Sequence, residues 1–336
     1  MKRIIIPACA GIGNTVLMTP MLLELKRLLP DCQRVIAGVP PYINLLHVPQ
    51  LSDEIIPVTG IIYFRDIIRK GCWKLIRHYD YALIPYSEPH HFLNFLRKAG
   101  FIKNVTGIGT PGDAFFSTLL PRMDFISERQ QNLKILEALD LPVNNQAQSD
   151  LFISCDERKA IIPILQEYGL FHKPFLVIHL SWRTTTERKA FPAKLLEEIL
   201  QNLPASIPKA VLCGKEEKAA VHRFFTHRNH DVKLIDNIHD IRLLAAFLSY
   251  CRVMLSVDSG PMHLAAATGS NVIALFGPTE KLRCAPDGLP NVKIIEKKMP
   301  HNCNGCLQRN EPCLFDRECL TGLDAGIIIK NILSFF

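Results

Sequence analysis

Val257-Asp258-Ser259-Gly260-Pro261-Met262-His263-Leu264-Ala265-Ala266-Ala267 leads, after a short turn, into Asn271-Val272-Ile273-Ala274-Leu275-Phe276-Gly277-Pro278-Thr279. The stretch reads as strand, tight turn, helix, strand, with polar groups gathered where a strand ends and a helix begins. Backbone N–H groups there lack intrahelical partners, and the helix dipole favours negative charge, so an α/β protein binds phosphate at such a place. Asp258 or Ser259 also suits plain helix capping, and Pro261 suits the first turn of any helix. Two details point to a ligand site. His263 falls in the first helical turn, and Gly260 admits a ligand close to the backbone.

Working outward, the second half is a βα series. Strands are expected over 175–180, 209–213, 232–235, 253–257 and 272–276, with helices over 193–203, 216–225 and 241–250. The first half repeats the pattern, with strands over 3–8, 34–39, 55–57, 81–85 and 104–108. Its helices are expected over 15–29, 63–78, 92–99, 130–139 and 156–167. Alternation of this kind gives parallel sheets covered on both faces. Tyr168-Gly169-Leu170-Phe171-His172-Lys173-Pro174 ends a helix before a new strand and marks the boundary. The expected architecture is α/β: two Rossmann-like domains, 1–170 and 171–320, facing a cleft.

At 336 residues, 48% hydrophobic and 21% charged, the chain has the balance of a globular protein of two domains. No apolar run reaches the roughly 18–20 residues that span a bilayer. Met1-Lys2-Arg3-Ile4-Ile5-Ile6-Pro7 is too short in its apolar part for a signal peptide, so a cytoplasmic location is expected. The formal charge of +7 suits an acidic or phosphorylated ligand, or an anionic membrane face. No Lys/Arg block points to nucleic acid.

Four of the eleven cysteines, Cys303, Cys306, Cys313 and Cys319, fall within seventeen residues in the spacing C-x2-C-x6-C-x5-C. In a chain without an export signal, such a cluster points to zinc or iron more than to disulfides; reduced or paired thiols are the alternative. The metal's role would be structural, because four ligands leave no open position.

Three further turns carry polar chemistry. Ala8-Cys9-Ala10-Gly11-Ile12-Gly13-Asn14 follows the first strand. Val16 stands where a dinucleotide fingerprint needs its third glycine, and Gly38-Val39-Pro40 where it needs an acid, which disfavours NAD. Gly11 and Gly13 still leave backbone amides at the top of that strand. Ser181-Trp182-Arg183-Thr184-Thr185-Thr186-Glu187-Arg188-Lys189 offers hydroxyls and cations at another strand's end. There Lys189 would neutralise a diphosphate and the threonines orient it, although alone the run also reads as a solvated basic loop. In Cys213-Gly214-Lys215-Glu216-Glu217 either glutamate is a helix-dipole partner or an acceptor for a ribose or base.

Taken together, these stretches resemble glycosyltransferase family 9, the ADP-heptose:lipopolysaccharide heptosyltransferases. Asp258 to Thr279 matches the family's D-S-G-P-M-H…F-G-P-T pattern, Lys189-Ala190-Phe191-Pro192 its K-R-W-P, and Cys213-Gly214-Lys215-Glu216-Glu217 its G-G-x-x-E. Gly11-Ile12-Gly13-Asn14-Thr15-Val16-Leu17-Met18-Thr19-Pro20 matches G-x-G-D-x-L-x-T-P. The resemblance implies a GT-B fold: an acceptor domain, a donor domain, and a helix over 321–336 returning to the first. It also implies inverting transfer of heptose from ADP-heptose without a catalytic metal. The acceptor would be a lipopolysaccharide-core sugar, another glycan or a protein hydroxyl, met at the periphery of the inner membrane.

Carried over by position, Thr184, Thr185 and Lys189 would hold the diphosphate and Glu217 would meet the nucleoside. Asp258, Ser259, Gly260 and His263 would line the diphosphate and sugar. Some relatives hold iron in a cysteine finger like 303–319. Two departures stand out. His179-Leu180-Ser181-Trp182 replaces the family's H-P-G-A-S run, and Asn14 replaces the aspartate thought to be the base. An amide cannot take a proton at neutral pH. Glu88 or His90, in Ser87-Glu88-Pro89-His90-His91, is the expected substitute; a nucleotide-sugar binder with weak or no turnover is the alternative.

Overall fold

Apolar runs such as Ile4-Ile5-Ile6 and Leu176-Val177-Ile178 become central strands because both of their faces are covered. Ile4 and Ile6 turn to one hydrophobic cluster and Ile5 to another, the two-residue period of a strand read out as two helical layers. The computed structural model describes residues 2–8, 11–58, 72–85, 91–228, 230–300, 303, 305–307 and 309–336, the side chains of 184–186 excepted. It divides into two units, Met1–Phe152 and Ile153–Phe336.

The first unit contains β1 (Arg3–Ala8), α1 (Ile12–Leu17), α2 (Thr19–Leu28), β2 (Gln33–Gly38), β3 (Glu54–Pro57) and β4 (Tyr79–Ile84). It continues with α3 (His91–Lys98), β5 (Ile102–Gly109), β6 (Thr118–Pro121) and α4 (Glu128–Glu137). Its six strands are parallel in the order β3-β2-β1-β4-β5-β6, so the order reverses between β1 and β4.

The second unit opens with α5 (Cys155–Ala160) and α6 (Ile162–Glu167), then β7 (Leu176–His179), α7 (Ala193–Asn202), β8 (Lys209–Leu212), α8 (Lys218–Thr226) and β9 (Lys233–Ile235). There follow α9 (Ile241–Leu248), β10 (Val253–Val257), α10 (Gly260–Ala267), β11 (Asn271–Phe276), α11 (Lys281–Cys284) and β12 (Val292–Glu296). The last helices are α12 (Glu318–Thr321) and α13 (Ala325–Leu333). The parallel order is β12-β11-β10-β7-β8-β9, with its reversal between β7 and β10. Leu255 pairs with Ile178 on one side and Ile273 on the other. The crevice outside the carboxyl ends of strands at such a switch point is where an open α/β sheet holds its ligand.

Several expectations are corrected. The boundary lies at Phe152/Ile153, not after residue 170, because α5 and α6 belong to the second unit. Arg242 holds Glu157 through Nε and Nη2 at 2.6 and 2.8 Å, and Arg158 donates to Ser249 Oγ at 2.8 Å. α13 buries Ala325, Ile328 and Ile332 in the second unit's core beside Leu195, Leu196 and Ile199. The helix expected over 15–29 breaks at Met18: α1 already starts at Ile12, and Pro20 sits in the first turn of α2. The edge strands β6 and β12 were not expected from the sequence. The helix expected over 63–78 lies largely outside the described residues, with a 3-10 turn at Cys72–Leu75.

Candidate functional site

In the second unit, the chain leaving β7 makes a strap before entering α7. Ser181 takes up a left-handed backbone, φ 54°, and residues Thr184–Lys189 wind as a 3-10 turn. The strap closes on itself: Phe191 N–H donates to the Leu180 carbonyl at 2.9 Å, and the Trp182 indole N–H to the Phe191 carbonyl at 2.7 Å. Lys189 is thereby carried to the end of β10, where its Nζ lies 3.1 Å from Asp258 Oδ2.

β10 and α10 meet as the sequence suggested. Ser259 caps α10, its Oγ accepting from Met262 N–H at 3.4 Å and lying 2.9 Å from Ser256 Oγ. Gly260 and Pro261 form the first turn. His263 Nε2 stands 3.9 Å from Asp258 Oδ1. Burial pushes the Asp258 carboxyl up, but His263 and Lys189 outweigh it and hold it down at about 2, so it is a carboxylate at neutral pH. His263 Nδ1 and Thr279 Oγ1 are both buried without a hydrogen-bond partner among the described residues. Thr279 follows β11, and only its place in the matched F-G-P-T run could have flagged it.

Glu217 is placed differently from the expectation that it meets a nucleoside. It is 1% exposed, and both oxygens are engaged inside the unit. Oε1 accepts from Gly214 N–H at 3.0 Å and faces His179 Nε2 at 3.1 Å, while Oε2 accepts from Trp182 N–H at 2.8 Å. Burial raises this carboxyl, and His179 with the two N–H donors outweighs that, leaving it lowered. Glu217 therefore ties the turn after β8 to the root of the strap. His179, its partner, was not singled out from the sequence. Thr184 and Thr185 lie on the 3-10 turn; their side chains are outside the described residues.

The cysteine-rich segment lies against the same strand ends. Leu307 N–H donates to the Pro278 carbonyl at 2.8 Å, and a side chain at Gly277 would meet Leu320 Cγ at 2.7 Å and Cys319 Sγ at 2.9 Å. Burial raises the Cys303 thiol, with further contributions from Cys306 and Cys313. Burial likewise pushes Cys319 up to about 11, helped by Cys303, Cys306 and Cys313. Among the described residues, no three metal-ligating side chains are gathered into a group that could hold an ion.

In the first unit, Gly11 is the exposed N-cap of α1 with an extended backbone, φ −67°, and a side chain there would meet nothing within 4 Å. Gly13 and Asn14 fall in the first turn of α1, at the end of β1. The neighbouring strand β4 ends at Ile84. Glu88 and His90 follow it and lie outside the described residues.

Three kinds of similarity bear on these observations. The family model for glycosyltransferase family 9 (heptosyltransferase) matches residues 127–313, more than half of the chain. A stretch of 127 residues is 29% identical to lipooligosaccharide heptosyltransferase 2 of Campylobacter jejuni, covering 36% of this chain and 39% of that protein. The match therefore spans well under half the length of that relative. The fold is shared with the glycosyl transferase family 9 structure from Veillonella parvula, with a TM-score of 0.81 at 16% identity over 99% of this chain and 97% of that one. It is shared also with E. coli ADP-heptose lipopolysaccharide heptosyltransferase II, with a TM-score of 0.74 at 15% identity over 100% and 98%.

Proposed function

The chain belongs to glycosyltransferase family 9, and on that premise we propose that it is an inverting glycosyltransferase using an ADP-linked heptose or similar sugar as donor. One observation carries the reading. Lys189, Asp258, His263 and the start of α10 come together at the switch point of the second unit's sheet. In this reading the diphosphate meets the Lys189 ammonium and the N–H groups of the α10 start, and Thr184 and Thr185 orient it. His263 Nδ1 and Thr279 Oγ1 offer polar atoms for the sugar or phosphate. Asp258 steers Lys189 and His263, and Glu217 sets the strap from behind rather than touching the nucleoside.

The acceptor oxygen attacks the anomeric carbon, the bond from that carbon to the diphosphate breaks, and ADP leaves with the electron pair. Lys189 and the helix start stabilise the departing charge. The acceptor proton goes to Glu88 or His90, while Asn14 orients the hydroxyl; an amide can donate and accept hydrogen bonds without taking the proton. The acceptor is a lipopolysaccharide-core sugar, another glycan or a protein hydroxyl. A cytoplasmic site at the inner membrane's face suits a nucleotide-sugar donor and the +7 charge. No helix among the described residues is long and apolar enough to cross a membrane.

Calorimetry with ADP tests the donor half. Lys189→Ala should weaken binding by at least about tenfold with the melting temperature little changed, and unchanged affinity would overturn the reading. Asn14 favours one second reading, a nucleotide-sugar binder without turnover. Tight ADP binding with no release of ADP from ADP-heptose on any acceptor would select it.

The cysteine spacing, with Cys306 and Cys313 both close enough to bear on Cys303 and Cys319, supports a structural zinc or iron at Cys303, Cys306, Cys313 and Cys319. No step of the transfer passes through it. About one equivalent of metal per chain is expected after purification without added metal; far less would remove this part of the proposal.

A further inference from the structure

Resting on the donor assignment above, we propose that Arg188 and Arg317 are positioning residues, struts through which the cysteine-rich segment holds Lys189 ready for the diphosphate. Phe191 lies in the second unit's core and Trp182 packs against it, so packing fixes the two ends of the strap and leaves Glu187, Arg188 and Lys189 between them. A cavity of about 640 Å³ opens between Trp182, Glu187 and Ala190 of the strap and Arg317 and Thr321 of the segment; Lys189, Asp258 and His263 are not in its lining. Side chains bordering such a space lack packing partners on that side, so dispersion holds the middle of the strap less than its ends.

Two guanidinium groups join strap and segment instead. Arg188 Nη2 lies 2.9 Å from Cys306 Sγ, and Arg317 Nη2 donates to the Ala190 carbonyl at 2.6 Å. These contacts fall on the residues immediately before and after Lys189. Arg317 is held firmly itself. It takes a left-handed backbone, φ 61°, as N-cap of α12, and its N–H faces Cys313 Sγ at 3.2 Å. The segment is in turn fastened to the end of β11 through Leu307 and through Cys319 and Leu320 against Gly277. A continuous path therefore runs from the β11 end through the cysteine segment to both neighbours of the donor-gripping lysine. Arginine suits the task, since its planar fork fixes direction as well as charge.

A double-mutant cycle on the full chain, read by ADP calorimetry and thermal melting, tests the idea. Arg188→Ala and Arg317→Ala should each weaken ADP roughly tenfold, with Arg317→Lys recovering only part of the loss. Added to Lys189→Ala, either change should cost no more than about a further twofold, because the struts act through that lysine. Fully additive losses would overturn the proposal, as would ADP affinity within about twofold of the parent in both Arg→Ala variants while Lys189→Ala loses it. If Arg317→Ala melts far below the parent, Arg188→Ala and Arg317→Lys decide by the same criterion. Undiminished ADP binding by Lys189→Ala would instead sink the donor assignment on which the struts depend.

Discussion

Lys189 and Asp258 neutralise each other where an anion is to be bound, which makes the carboxylate a holder of the lysine as well as a neighbour of the ligand. Its ionisation is linked to folding. The Asp258 carboxyl sits at about 2 in the folded chain, below its ordinary value of 3.8, so its contribution is fully present above about pH 4 and is lost as the pH falls toward 2. The shift corresponds to roughly 2 kcal/mol. Asp258→Asn should therefore flatten the fall in stability between pH 4 and 2, read by urea unfolding at several pH values. A slope equal to the parent's would show that the carboxylate is not held as described. At this scale the sequence was informative about residue type and poor about direction. Lys189, Asp258 and His263 converge, yet Glu217 turns inward, because its hydrogen-bond donors come from Gly214 and from Trp182 and His179 of the β7 end.

Among the elements, the central strands were legible and the edges were not. β1, β7 and β10 are apolar runs buried on both faces, a local pattern that survives any tertiary context. β6 carries Pro121 and β12 flanks Ile294 and Ile295 with Lys293 and Glu296, the composition by which edge strands avoid pairing further. The junction between β11 and α12 is equally tight and equally illegible. Gly277→Ala would drive a methyl against Leu320 Cγ and Cys319 Sγ, at 2.7 and 2.9 Å. A loss of about 1–3 kcal/mol is expected in urea unfolding, since overpacking of a formed core costs that much. An unchanged midpoint would mean that the segment does not press on the strand end.

At the scale of the molecule, each unit has its own six-stranded sheet and hydrophobic cores, and every residue assigned to the donor lies in the second. Residues 153–336 produced alone should melt cooperatively and bind ADP within about tenfold of the full chain, while 1–152 should bind none. Sugar transfer should require both. Loss of ADP binding by a folded 153–336 would show that donor recognition needs more than this sheet. Strand–turn–helix periodicity and the polar turns were readable in the linear chain because they depend on near neighbours: the two α/β halves, the family, and the β10–α10 turn follow from them. Lys189 and Asp258 are 69 residues apart in sequence and meet only because the strand order sets β7 beside β10. The placement of α5, α6 and α13, the inward turn of Glu217 and the two arginine struts are likewise settled by which surfaces pack together, and no local pattern encodes that.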